Sequence, residues 1–141
     1  MDKVIGSVTI QQEQILHGDH HIIAPAAIVD ETAAFGAGTL LVAGETGYSP
    51  LAKSDSTHAP VAVAIEALEK AADGSVIPAC VHGAVRTEKL KYADGTKITF
   101  ATAEKLRETG IYCIAGEGFE GYAEAEAAGG NEGGSGSGGG D

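Results

Sequence analysis

The residues of this chain whose types and spacing best suit chemistry are His17, His20 and His21, with Asp19 between them. Imidazoles so placed can hold Zn²⁺ or Ni²⁺ if a further ligand arrives from another chain. The spacing matches no closed structural motif, and the side chains of adjacent His20 and His21 diverge in an extended chain. The alternative is a solvated stretch whose histidines gain charge below about pH 6.5. No metal or other cofactor is assigned. Cys80-Val81-His82 puts two reactive side chains on one face of a strand. A thiolate nucleophile also needs an orienting third group and a pocket, and small buried cysteines are common in strands. Cys113 reads as core filler. Gly36-Ala37-Gly38 precedes no helix, and no glycine is followed by the Lys-Ser/Thr pair of a phosphate loop. No carboxylate pair is fixed by a motif, so nucleophile, base and oxyanion site do not assemble. The residues argue against an enzyme.

The elements that must position these residues belong to 141 residues of 14.2 kDa, which suits one small domain. Eleven of the 21 glycines and six of the 20 acidic residues lie in residues 115–141, which contain no Lys or Arg. Of the formal charge of −11, −5 therefore belongs to the first 114 residues and −6 to the rest. No basic surplus exists to neutralise phosphates, which excludes a generic duplex DNA or RNA binder. No apolar run approaches the roughly 20 residues of a membrane span. MDKVIGSVTI has too short an apolar core for a secretory signal. Two cysteines make no disulfide framework, which fits synthesis in a cytosol.

Residues 1–24 mix short apolar pieces with the polar run Gln11-Gln12-Glu13-Gln14. Val4, Val8 and Ile10 alternate as in a strand, but no tight turn joins them to a partner. An extended arm that finds its partner elsewhere is expected; the competing reading is a first strand of the body's own sheet. Residues 25–114 read as a mainly β (α+β) body with one or two short helices. Leu40–Ala43, the turn Gly44-Glu45-Thr46-Gly47 and Tyr48–Leu51 form a hairpin signature. In the run from Pro60 to Leu68, Val61, Val63 and Ile65 alternate with Ala62, Ala64 and Glu66, although a helix also fits residues 64–72. After a turn at Asp73-Gly74, residues 75–85 extend again, with Ile77, Ala79, Val81 and Val85 on one face and Pro78 at an edge or bulge. Thr102 as N-cap, Lys105 and Arg107 in the last turn and Gly110 beyond it mark a helix, with Ala103 and Leu106 facing inward. Ile111–Ile114 closes the body. Residues 115–141 read as a flexible, acidic, Gly/Ser-rich tail.

The order of these segments resembles the head decoration proteins of tailed bacteriophages, the lambda protein D type. The resemblance rests on Phe35-Gly36-Ala37-Gly38-Thr39-Leu40-Leu41, Gly47-Tyr48-Ser49-Pro50-Leu51, the stretch from Ala59 to Leu68, the stretch from Val76 to Val85, and the helix and strand from Ala103 to Ile114. It covers roughly residues 30–114, and order and spacing carry it rather than any single piece. It implies a structural protein that sits as a homotrimer on the outer surface of an expanded capsid and opposes the pressure of packaged DNA. The implied partners are the major capsid protein and further copies of itself, with no direct nucleic acid or membrane contact. The implied location is the virion, after synthesis in the host cytoplasm. Residues 1–24 would be the capsid-binding arm, with Val4, Ile5, Val8, Ile10 and Ile15 making contact by β-augmentation. The alternative is an oligomeric β-domain that binds a small ligand or metal through His17, His20 and His21. The tail and the His-rich stretch depart from the family pattern.

Overall fold

The structure, a computed structural model, describes residues 15–18 and 20–124. It is mostly β. Six strands, β1 (Ile22–Ala27), β2 (Leu40–Ala43), β3 (Tyr48–Pro50), β4 (Ala62–Ala64), β5 (Val76–Arg86) and β6 (Ile111–Ile114), accompany a helix α1 (Phe100–Glu108) and a 3-10 turn at Thr87–Lys89. The order is β1-β5-β4-β2-β3, all antiparallel, and β6 pairs in parallel with the second half of β5. The sheet curls until its ends meet: Val29 N donates to Tyr48 O at 2.9 Å just beyond β1. Gly47 allows that meeting, because a Cβ there would stand 2.7 Å from the Ala27 carbonyl oxygen.

The curl creates two apolar cores, one on each face. Strand alternation sends Leu40, Val42, Val63, Ile65 and Cys80 to the larger core, where Leu90, Ile98, Leu106 and Ile111 cover them. It sends Leu41, Ala62, Ala64, Ile77 and Ala79 to the other, with Ala26, Ile28, Phe35 and Leu68. This is why Ala62–Ala64 is buried along its whole length. The concave side is tight, so alanine fills it. The helix considered for residues 64–72 does not form, because their backbone groups pair across the chain. Phe35 and Leu68 exchange two bonds of 2.9 Å, and Ala72 N donates to Thr32 O at 2.8 Å.

Strand β5 departs from its expected pattern twice. Pro78 lies in a central strand rather than at an edge. Ile65 N donates to Pro78 O at 3.2 Å, but proline has no N–H to return the bond, and β4 ends there. Val85 also does not share a face with Ile77 and Ala79; it packs in the larger core. A register shift opposite Ile22 and Ile23, followed by Gly83 at φ +123°, turns the strand over. A Cβ on Gly83 would lie 2.5 Å from the His20 carbonyl oxygen, so a glycine is required.

The helix begins earlier than Thr102 suggests. Its N-cap is Thr99, whose hydroxyl accepts from Thr102 N at 3.2 Å, and Glu104 falls outside the first turn. Thr102 lies in the first turn, where its hydroxyl meets Tyr92 Oη at 2.7 Å. Ala103 and Leu106 face inward as expected, and Gly110 at φ +96° follows the C-cap Thr109. Tyr92 Oη also lies 3.2 Å from both Thr99 Oγ1 and Thr99 N, which makes one hydroxyl the hub of a buried network. Two boundaries move as well. The body includes Ile15 and all of β1, ahead of Pro25, and residues 115–124 fold back onto it.

Candidate docking surface

Of the arm residues, Val4, Ile5, Val8 and Ile10 lie outside the described residues. Ile15 does not belong to an arm surface. It is 3% exposed in the larger core, Leu16 bridges Val85, and His17 N donates to Ala84 O at 3.0 Å. The apolar pair Ile15-Leu16 follows a polar run and fills the rim of that core. Six residues later β1 begins, and there the surface changes character.

Ile22 is 56% exposed, Ile23 38% and, across the sheet, Val76 59%. The cross-strand partners Pro25 with Pro78 and Ala27 with Val76 carry the face of Ile23 onward. A shallow depression is lined by Ile23, Ala24, Pro25, Val76, Ile77 and Pro78, with no charged side chain among them. Alternation assigns Ile23, Pro25, Val76 and Pro78 to the face that carries Cys80. This is the large-residue face, and its covering elements stop short of β1. Sequence reading missed this corner, although the unbroken run Ile22-Ile23-Ala24-Pro25-Ala26-Ala27 was its available signal.

The histidines come together only in part. His20, His21 and Ile22 share a depression with His82, the cross-strand partner of Ile22. His21 Nε2 lies 3.0 Å from the carbonyl oxygen of His17. His82 also meets Tyr112 edge to face, with ring centres 6.1 Å apart. Among the described residues, no group of three or more His, Cys, Asp or Glu side chains is arranged to hold a metal ion. The sequence pointed to His17; the fold substitutes His82, which a strand 60 residues away delivers.

Cys80 and His82 do not assemble as a pair. The Cys80 thiol is buried and donates to the backbone carbonyl of His82 at 3.3 Å, while the imidazole stands exposed outside. Burial pushes the Cys80 thiol above its ordinary pKa, which leaves it protonated near neutrality.

One polar cluster lies in the loop before β4. Asp55 Oδ1 accepts from Thr57 N at 2.8 Å, Thr57 Oγ1 at 2.9 Å and His58 N at 3.1 Å, and Oδ2 lies 2.8 Å from His58 Nδ1. The Thr57 backbone N–H above all, helped by the Thr57 hydroxyl and His58, holds the Asp55 carboxyl well below the usual carboxylate range. Both partners meet the same imidazole nitrogen, so this is a loop fastener rather than a relay.

The arrangement defines a small, curled, mainly β protein with an uncharged apolar corner where β1 pairs with the start of β5. No protein-family model matches the chain, and no curated protein sequence does either. Among the described residues, no helix is long and apolar enough to cross a membrane.

Proposed function

We propose that this chain is a capsid-cementing protein of a tailed-bacteriophage head, bound as a homotrimer to the outer surface of the expanded shell. The observation that carries the reading is the bare corner of Ile23, Val76, Pro25 and Pro78, on a chain of formal charge −11. Copies this acidic repel one another at a distance, so close contact with the shell or with each other favours an uncharged face. The chain enters at the other end of β5, where Leu16 bridges Val85, and runs through β1 to the corner. In this reading Val4, Ile5, Val8 and Ile10 add as a strand to the major capsid protein. Backbone bonds supply affinity there, and alternate side chains supply specificity.

Ordering such an arm costs about 1–2 kcal/mol per backbone residue. Single subunits then dock weakly, and a trimer that engages several sites gains through effective concentration. Cross-linked capsomers resist the outward pressure of packaged DNA. The protein would be made in the host cytoplasm and reside on the virion, without contact with nucleic acid or membrane.

The test is co-sedimentation of the purified protein with expanded, undecorated capsids. Saturation near one copy per capsid subunit is the expected result, and no binding to any related shell would overturn the reading. The depression shared by His20, His21 and His82 favours one competing reading, a metal- or ligand-binding β-domain. Under that reading EDTA, or a shift from about pH 7.5 to about 5.5, changes the protein's binding behaviour. Under the cementing reading capsid binding is unchanged by either.

A further inference from the structure

Residues 116–124 touch the body in two places. Gly116 N donates to Oε1 of Glu88, in the 3-10 turn, at 3.1 Å. Ala123 N donates to Ile98 O at 2.8 Å and bridges Thr99, the N-cap of α1. Between them Tyr122 packs against the larger core and gathers two rings edge to face. The Phe119 ring centre lies 5.0 Å away and the Phe100 ring centre 5.5 Å. The segment roofs a cavity of about 180 Å³, whose lining includes Thr87, Lys97 and Ile98 from the body and Phe119 and Tyr122 from the roof. A Cβ on Gly116 would stand 2.7 Å from Glu88 Oε2, so the first anchor also requires close approach.

We propose that residues 116–124 are a clasp that ties the 3-10 turn to the N-terminus of α1 and shields the rim of the larger core at Cys113. The proposal is independent of the cementing reading. Contacts on two parts of the body, the 3-10 turn at Glu88 and the run Ile98-Thr99-Phe100, are more than a passing tail would make. The aromatic residues Phe119 and Tyr122, three apart in a Gly- and Glu-rich stretch, are the apolar side chains that hold it. Cys113 is partly buried against the same core as Tyr122. Burial, reinforced by the Glu104 carboxylate, pushes its thiol up to about 11. A thiol so placed reacts slowly at neutral pH until its cover lifts. Cys80 is fully buried elsewhere in that core and so reports global unfolding.

The experiment compares the full chain with versions that end after Glu124 and after Ile114, and with Tyr122→Ala and Ala123→Pro in the full chain. Thermal midpoints and the rates at which a disulfide reagent labels Cys113 and Cys80 are the readouts. The version ending after Glu124 is expected to match the full chain in both. The version ending after Ile114 is expected to melt about 5 °C lower or more. Cys113 in it should label about tenfold faster, ahead of Cys80. Tyr122→Ala and Ala123→Pro should fall between, the latter because proline removes the donor to Ile98. Should the shortest version fail to fold, these two substitutions decide: selective acceleration of Cys113 supports the clasp. Unchanged Cys113 labelling in both substituted chains would overturn it. So would a version ending after Glu124 that already shows the full loss.

Discussion

The two faces of the curled sheet are filled by different means. On the convex side, large residues such as Leu40, Val63 and Ile65 meet a covering layer that brings Ile98, Leu106 and Ile111. On the concave side, Ala26, Ala62, Ala64, Ala72 and Ala79 accept the close approach that curling imposes, and Phe35, Leu41 and Leu68 fill what remains. The convex face needs volume and the concave face needs its absence. The same contrast explains the bare corner: a face built for a covering layer, where that layer ends before β1, leaves Ile23 and Val76 in water. In the proposed function that corner is the face that docks.

Substitutions that exchange the two requirements test the contrast. Leu106 is fully buried, so Leu106→Ala leaves a cavity and should lower the unfolding free energy by about 2–5 kcal/mol. Ala79→Leu makes the opposite error on the concave face and should cost about 1–3 kcal/mol through overpacking. Denaturant titration reads both, and a neutral Ala79→Leu would show that the concave face has spare room. Tyr92→Phe removes the hub among Thr99 and Thr102 while keeping the ring. A loss of about 1–2 kcal/mol is expected, with faster amide exchange at the start of α1.

The smallest effect belongs to neither face. Asp55 has a lowered folded pKa, so its ionised form stabilises the fold at neutral pH. That contribution is lost as the pH falls below its ordinary value of about 3.9 toward the lowered one. The gap in melting temperature between the unaltered chain and Asp55→Ala should therefore shrink in acid. A gap that widens in acid would show that the loop's bonds do not depend on the charge.

Much of this fold could be read from residues alone. Gly44–Gly47 marked the hairpin, and Lys105, Arg107 and Gly110 marked the end of α1. What could not be read depends on distant neighbours. Thr99 and Thr102 stand three apart and both suit a cap; the Tyr92 hydroxyl, which claims Thr102, decides between them. The overturn of β5 at Gly83 is set by the passage of His20 and His21. Residues 64–72 had helical spacing, but Phe35 and Thr32 took their hydrogen bonds. Of the proposed docking residues, Ile15 looked like its apolar neighbours in the arm until the core showed where it packs. The run from Ile22 to Ala27 signalled half of the apolar corner, but only strand pairing brings Val76 and Pro78 beside Ile23 and Pro25.

Ile15 also locates the most direct measurement. Deletion of residues 1–14 spares every described core residue, whereas deletion of residues 1–24 also removes Ile15 and half of β1. The account predicts that the shorter deletion melts cooperatively like the full chain yet no longer co-sediments with expanded capsids. A chain lacking residues 1–14 that decorates capsids at the full ratio would contradict it.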